Sequence, residues 1–560
     1  MDYKPLPIGV ENFDDMITNG YYYIDKTMFI KELIDKKGTV NLFTRPRRFG
    51  KTLNLSMLEY FFDITKKESS HIFDGLNIMS AGEAYTSEMN QYPVIKLSLK
   101  SAEQSTFEAS FRSLKKDIIR EFGRNEFICE SDLVPAYNKN AFKKLLYGEV
   151  DDIEYYDSLK LLSECLHAHY NKKVIVLIDE YDVPLEKAHV NGYYPQMLEF
   201  VRSFLHSGLK TNNALHFAVM TGCLRVSKES IFTGLNNPVV ISILSSEYGE
   251  YFGFTQEEVS AAFEYFGLER KLQEAHDWYN GYVFGNVNVY NPWSIIRYMR
   301  DLRNDENWFP RAYWANTSSN EIIRELVDVA DRSIKADIEA LMNGGSITKQ
   351  VVEEVTYSEI LGKSDNVWSF LLFTGYLKKI GEDFIESKIH VKLEIPNIEV
   401  QTIYRDKISE WFSDRVRSTD LSAIYSAIID GDAKKLTEEL STMLADTISY
   451  HDSHESFYHG FLIGVLASMK DYLVKSNRES GSGRGDIFII PDLLEKKAVI
   501  MELKVADKAS DMERESISAL KQIDEKGYID ELEQIGYKNI LKYGISFYRK
   551  NCLVTVVDMQ

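Results

Sequence analysis

Thr39-Val40-Asn41-Leu42-Phe43-Thr44-Arg45-Pro46-Arg47-Arg48-Phe49-Gly50-Lys51-Thr52-Leu53-Asn54-Leu55 is the run whose reading decides the fold of the first half of the chain. Its first six residues are short, apolar and β-prone, and Leu53 through Phe62 carries apolar residues at helical spacing. The basic segment between them is therefore a strand-to-helix turn. Gly50-Lys51-Thr52 at such a turn brings backbone N–H groups and a helix N-terminus against a phosphate chain, with Arg48 and Phe49 in the approach to it. Lys51 then reaches the β- and γ-phosphates, and the Thr52 hydroxyl is available to Mg²⁺. Arg45 stands where the usual pattern has its first glycine, which predicts a less permissive loop. A basic solvated turn ahead of a helix fits this segment taken alone; what lies downstream favours the nucleotide site.

The second half of an ATPase site is an apolar strand ending in acids that hold Mg²⁺ and prepare water. Lys173-Val174-Ile175-Val176-Leu177-Ile178-Asp179-Glu180 reads as that strand, apolar on both faces as parallel strands are. Asp179 is expected to take Mg²⁺, through water, and Glu180 to orient or deprotonate the attacking water. A solvated strand end also ends in acids, but the loop upstream makes the catalytic reading the better one. Leu215-His216-Phe217-Ala218-Val219-Met220 is a further strand, running into Thr221-Gly222-Cys223-Leu224-Arg225. In ATPases with an additional strand a polar residue at its end senses the γ-phosphate, so Thr221 is the expected sensor. Arg225 is either a charge-neutralising group or a surface arginine paired with a nearby acid.

A second constellation stands near the other end. Gly481-Ser482-Gly483-Arg484-Gly485 is a turn, followed by Asp486-Ile487-Phe488-Ile489-Ile490-Pro491 and by Lys497-Ala498-Val499-Ile500-Met501-Glu502-Leu503-Lys504-Val505, a β-hairpin pattern. Alternation puts Glu502 and Lys504 on one face and Met501 and Leu503 on the other. Asp486 and Glu502 converging at one strand edge would bind Mg²⁺ or Mn²⁺, and Lys504 would stabilise developing phosphate charge or position the water. An exposed hairpin with ordinary surface charges is the competing reading.

That constellation resembles the PD-(D/E)XK nuclease superfamily: Asp486 matches the first metal-binding acid, and Glu502 and Lys504 match the acid and lysine of its ExK element. The resemblance further implies that Glu455, opening an apolar helix, supplements the metal site, and that Gln522, on a helix with Ala519, Leu520 and Ile523, is the polar residue packed toward it. The whole chain resembles the bacterial AAA-ATPase-like proteins with a C-terminal PD-(D/E)XK nuclease-like domain. Gly20-Tyr21-Tyr22-Tyr23-Ile24-Asp25-Lys26-Thr27, Arg45 to Leu58, Asp179-Glu180-Tyr181-Asp182 and Ser227-Lys228-Glu229-Ser230-Ile231-Phe232 carry that likeness. It accounts for Arg45, because RPRRFGKT is that family's own wording of the loop.

At 560 residues the chain has room for three or four domains. The expectation is an α/β protein: a P-loop ATPase with a parallel sheet over 1–250, a helical lid over 251–335, a winged-helix-like linker over 336–418 and a restriction-endonuclease-like α/β fold over 419–560. Thr255 and Glu258 form a capping-box pattern at the start of the lid. The clusters Trp278-Tyr279-Asn280-Gly281-Tyr282 and Tyr290-Asn291-Pro292-Trp293 fit aromatic core packing better than base stacking. Trp368 through Leu377 and Val391 through Asn397 predict a helix and a hairpin. Cys129, Cys165, Cys223 and Cys552 are scattered without metal-ligand spacing, which argues against zinc and a disulfide framework. No apolar run approaches membrane-helix length and no secretory core follows Met1, so a cytoplasmic location is expected. A formal charge of −20 argues against a protein coated in nucleic acid while allowing a local basic groove. The favoured function is an ATP-binding and hydrolysing protein whose nucleotide state controls a metal-dependent nuclease acting on DNA, with a homo-oligomer compatible. The alternative is a nucleotide-switched interaction protein that binds a partner or nucleic acid without cleavage.

Overall fold

The computed structural model describes residues 3–210, 212–225, 238–316, 332–353, 364–385, 388–418, 420–445, 455–466, 469–476 and 487–559. Contacts divide it into two units, Met1–Ser318 with Ser346–Ile403, and Ser319–Gly345 with Tyr404–Gln560.

In the first unit β1 (Val40–Thr44), β2 (Val94–Ser98), β3 (Val174–Asp179), β4 (Leu215–Gly222) and β5 (Pro238–Ile241) form one parallel sheet in the order β2-β3-β4-β1-β5. β1 and β3 are buried along their whole length, which is why β3 reads as an apolar run up to Asp179 rather than an alternating one; in β1 the buried Asn41 is accommodated by donating to the Gly38 and Ala218 carbonyls. β4 lies between β1 and β3, the position that makes it an additional strand. Because all five strands point the same way, the carboxyl ends of β1, β3 and β4 share one edge, with Thr44 opposite Gly222 and Asp179 opposite Ser98. Open α/β sheets bind their ligands at that edge. The outer edge of β2 is closed by the Phe107–Arg124 helix: Lys96 N–H donates to Glu121 at 3.1 Å and Arg124 donates to the Val94 carbonyl. Spending those groups internally removes a template for strand addition.

The Gln256–Tyr265 helix begins with the expected capping box of Thr255 and Glu258. The Glu258 carboxylate also receives the buried Lys26 ammonium at 2.6 Å, which ties the Tyr21–Thr27 stretch to this helix. The Leu272–Tyr279 and Pro292–Asn304 helices share a core with it, built from Phe263, Tyr279, Tyr290 and Tyr298. These aromatics are packing residues, as their apolar neighbours imply. A small hairpin, β6 (Tyr282–Phe284) with β7 (Val287–Val289), and a three-stranded antiparallel sheet of β8 (Ile347–Gln350), β9 (Lys378–Ile385) and β10 (Lys388–Glu394) complete the unit, with the Ser364–Phe373 helix. Two close approaches join this last segment to the start of the β6 hairpin and to the loop after β1. A Cβ on Gly281 would lie 2.2 Å from the Pro396 carbonyl, and one on Gly375 would lie 3.1 Å from Pro46. Of the segment read as a linker over 336–418, residues 346–403 fall in the first unit, and 336–345 and 404–418 fall in the second.

In the second unit β11 (Tyr472–Ser476), β12 (Ile487–Pro491), β13 (Ala498–Val505), β14 (Ile540–Tyr548) and β15 (Asn551–Met559) form a mixed sheet in sequence order, parallel only between β13 and β14. One face, with Val499, Met501, Leu503, Tyr543 and Phe547, packs on the Ser422–Asp430, Ala433–Ala445 and Glu455–Leu466 helices. The other, with Phe488, Ala498, Ile500 and Ile540, packs on Leu520, Ile523 and Leu532. Gly544, opposite Glu502, sets the depth of that second packing: a Cβ there would meet the Ser516 carbonyl at 2.0 Å. The Met512–Glu525 helix therefore lies close over β14 only because the position has no side chain. The molecule is a mixed α/β protein with an N-terminal parallel sheet and a C-terminal mixed sheet, as the sequence predicts.

Candidate functional site

The loop after β1 turns by left-handed conformations at Arg48 (φ 69°) and Gly50 (φ 83°) and enters the Lys51–Phe62 helix, leaving the helix N-terminus open to the strand edge. Lys51, 6% exposed, donates through Nζ to its own loop, at 2.9 Å to the carbonyls of Arg45 and Pro46. Arg45 is fully buried and faces away from this task. Its Nη1 donates to the carbonyls of Thr44 and Ile241 at 2.9 Å, and its guanidinium lies over Phe252 and Phe284. Burial pushes its basicity down to about 9. The residue in the glycine position is thus a strut between the ends of β1 and β5, and Gly50 alone supplies the open backbone at the phosphate end.

β3 delivers Asp179 to the same point. Its carboxylate accepts from the Thr52 hydroxyl at 2.7 Å through one oxygen and from the Thr221 hydroxyl through the other. The loop, the acidic strand and the additional strand are therefore joined at one carboxylate, and a hydroxyl with a carboxylate is the hard-oxygen donor set that Mg²⁺ takes. Glu180 follows in a left-handed conformation, φ 52°, a cost of about 1–3 kcal/mol for a residue with a side chain. Burial and the neighbouring Asp179 raise its carboxyl above the usual range. Asp182, 2% exposed, accepts the N–H groups of Cys223 and Leu224 at 2.7 and 2.9 Å and so fixes the turn after Thr221. Its other oxygen has no hydrogen-bond partner among the described residues. A cavity of about 650 Å³ opens here; Arg48, Phe49, Gly50, Lys51, Thr52 and Glu180 line it, while Arg225, half-buried, does not.

Sequence reasoning missed the far wall of this cavity. Trp293, at the start of the Pro292–Asn304 helix, carries the guanidinium of Arg48 at 3.9 Å and that of Arg297 at 4.3 Å from its ring centre. Beside it Ser294 donates to the fully buried Glu399 at 2.8 Å, and Trp314 N–H donates at 2.9 Å. Burial pushes the Glu399 carboxyl up from 4.5 to about 7. The residues are 105 positions apart in sequence, so no local pattern signals them.

The sign of the Glu399 effect follows from linkage. Below 4.5 the carboxyl is protonated in folded and unfolded chains alike; between 4.5 and about 7 only the unfolded chain ionises, so stability falls as pH rises through that window. Glu399→Gln keeps an oxygen for Ser294 and Trp314 and removes the loss, at most about 3 kcal/mol. Calorimetry at about pH 5 and about pH 8 should show the variant gaining on the wild type only at the higher pH. An equal Tm difference at both pH values contradicts the assignment.

In the second unit Glu502 and Lys504 share a face of β13, as alternation predicts, since Ala498 and Ile500 on that face pack on the opposite core from Met501 and Leu503. Lys504 is half-buried; Glu502 is 2% exposed, and its Oε2 is buried with no hydrogen-bond partner among the described residues. An orphaned carboxylate oxygen costs free energy unless something fills its lone pairs, and a divalent cation fits that demand. Lys526 forms an ion pair with Glu502, Nζ to Oε1 3.8 Å, from the end of the helix that carries the half-buried Gln522. Asp486 lies outside the described residues, as do Arg484 and 227–232; its chain neighbour Ile487 stands opposite Met501 in the expected antiparallel register. Glu455 opens the Glu455–Leu466 helix, its side chain outside the described set. Among the described residues no three His, Cys, Asp or Glu side chains gather into a metal cluster.

Residues 7–232 match the family described as predicted AAA-ATPase, and residues 453–556 match the PD-(D/E)XK nuclease superfamily. The chain carries a predicted AAA-ATPase domain and a PD-(D/E)XK nuclease superfamily domain. The AAA-ATPase match spans the loop, Asp179, Glu180 and Thr221, and the nuclease match spans Asp486, Glu502, Lys504 and Lys526. A protein of Azotobacter chroococcum mcd 1, described as an uncharacterized protein in the vnfD 5' region, is 26% identical over 563 residues, covering 98% of this chain and 97% of its own. The two families indicate ATPase and nuclease-like activity, chemistries that use nucleotide and divalent metal. Among the described residues no helix is long and apolar enough to cross a membrane.

Proposed function

We propose that the chain is an ATPase whose nucleotide state controls a metal-dependent nuclease acting on DNA. The observation that carries the ATPase half is the Asp179 carboxylate bonded at once to Thr52 and Thr221. On nucleotide binding Lys51 exchanges the carbonyls of Arg45 and Pro46 for the β- and γ-phosphates, and Gly50 gives them backbone access. Thr52 and Asp179 would hold Mg²⁺, which would neutralise phosphate charge. Glu180, raised in pKa and lining the cavity, takes the proton of the attacking water, and Thr221 reports the γ-phosphate to Asp179.

In the nuclease half Asp486 and Glu502 would hold Mg²⁺ or Mn²⁺, with Glu455 and Gln522 in supplementary roles. A cation bound there would supply an activated water and neutralise phosphate charge. Lys504 stabilises the charge that develops on it. The orphaned Glu502 oxygen supports this reading over an exposed hairpin with surface charges. Control by nucleotide is supported by the Ile398–Ser418 helix, whose first turn holds Glu399 beside Ser294 and whose chain continues into the second unit.

The test is cleavage of plasmid DNA in Mn²⁺ with ATP, with ADP and without nucleotide, using wild type and Glu180→Gln. Rates that differ between nucleotide states by about tenfold or more support the coupling. Identical rates in every state refute it, and no cleavage of DNA or RNA in any state favours a nucleotide-switched binding protein.

A further inference from the structure

We infer that Lys526 is an internal counter-ion for the nuclease metal site, competing with the divalent cation for Glu502 and thereby setting metal affinity. The inference rests on the metal-site reading above. Glu502 projects from β13 toward the Met512–Glu525 helix, into a face that includes Ala498, Ile500, Leu520 and Ile523. A carboxylate at 2% exposure in such surroundings needs a compensating cation. Lys526 stands at the end of that same helix and brings its ammonium to 3.8 Å from Oε1. That distance lies within ion-pair range but beyond a hydrogen bond, so the pair balances charge without satisfying the carboxylate. The result is a half-compensated acid: one oxygen attracted by Lys526, the other, Oε2, without a hydrogen-bond partner among the described residues.

The two cations cannot share Glu502 without repulsion, because a metal on Oε2 would lie within a few ångströms of the ammonium in a poorly solvated setting. Lys526 is about 29% exposed at its side chain, enough to swing toward solvent or toward a bound phosphodiester when a metal enters. Lys526 thus stabilises the metal-free protein, weakens binding of metal alone, and is released by the negative charge of the substrate. Gly527, in a left-handed conformation at φ 68°, ends the helix directly after Lys526 and fixes where the ammonium starts from.

The test is Mn²⁺ binding to the full chain, followed by electron paramagnetic resonance of free Mn²⁺, for wild type, Lys526→Met, Lys526→Gln and Glu502→Gln. Lys526→Met is expected to bind Mn²⁺ about tenfold tighter than wild type, and its metal-free form to melt at lower temperature, with Mn²⁺ giving a larger upward shift. A lysine that merely holds Glu502 in place predicts the opposite sign, weaker binding on removal. Unchanged or weaker binding in a folded Lys526→Met, or in Lys526→Gln should the first variant fail to fold, overturns the inference while leaving the site itself standing. Equal binding by wild type and Glu502→Gln, or none by any variant, removes the metal-site reading on which it rests.

Discussion

Lys51→Ala is expected to abolish ATP binding, and Glu180→Gln to leave binding intact while slowing hydrolysis. The separation follows from where the two side chains stand. Lys51 is a buried cation at the helix N-terminus, and its ammonium donates to the carbonyls of Arg45 and Pro46 at 2.9 Å, with Cys223 Sγ at 3.9 Å, contacts that a phosphate can replace. Charge-assisted bonds of this kind contribute about 1.5–3 kcal/mol each, so losing those to two phosphates weakens affinity by roughly a hundredfold or more. Glu180 has no part in that grip. It lines the cavity beside Asp179, where burial and that neighbour raise its carboxyl above the usual range and make it a stronger base. Its amide replacement should lower turnover by about 10²–10⁴. Filter binding of labelled ATP and a phosphate-release assay measure the two effects. Wild-type turnover in both variants would show that another loop holds the nucleotide.

How much of this was legible in the sequence depended on whether an interaction is local. The strand-to-helix turn, the acids closing β3 and the capping box of Thr255 and Glu258 are set by spacing within a few residues, and a reader of the chain can see them. The face shared by Glu502 and Lys504 is equally local, because a strand alternates by two. The role of Arg45 was not legible. Its place in the glycine position predicts only a less permissive loop, whereas its side chain reaches the end of β5, nearly two hundred residues away. Trp293 shows the same limit: its cluster reads correctly as packing, but the two guanidinium groups over its ring arrive from the nucleotide loop and from the next turn of its own helix. Lys526 comes to Glu502 only because Gly544 lets a helix settle low on the sheet, a consequence of docking that spacing cannot express. Asp182 was visible as part of the Asp179-Glu180-Tyr181-Asp182 run, whereas its task, holding the backbone after Thr221, required the register of β3 against β4.

Asp486→Ala and Glu502→Gln are each expected to eliminate nucleic-acid cleavage, with ATP hydrolysis unchanged. Two carboxylates sharing one metal act as a unit, so either removal should cost nearly the whole of the metal's contribution, while Lys504→Ala removes a single electrostatic group worth about 3 kcal/mol, or roughly a hundredfold in rate. Glu502→Gln is the sharper probe, because it preserves shape in a packed face and relieves a buried charge whose second oxygen has no hydrogen-bond partner among the described residues. Replacing such a group by a neutral isostere should leave the fold intact or make the metal-free protein more stable. Loss of cleavage together with an unchanged or raised melting temperature would therefore assign Glu502 to chemistry rather than to structure. The ATPase should be unaffected, since its groups come from β1, β3 and β4 of the other unit. Single- and double-stranded DNA and RNA, each in Mg²⁺ and in Mn²⁺, provide the comparison. Equal cleavage by wild type and Asp486→Ala would trace the activity to a contaminant, and a Glu502→Gln protein that still cuts would move the metal away from β13.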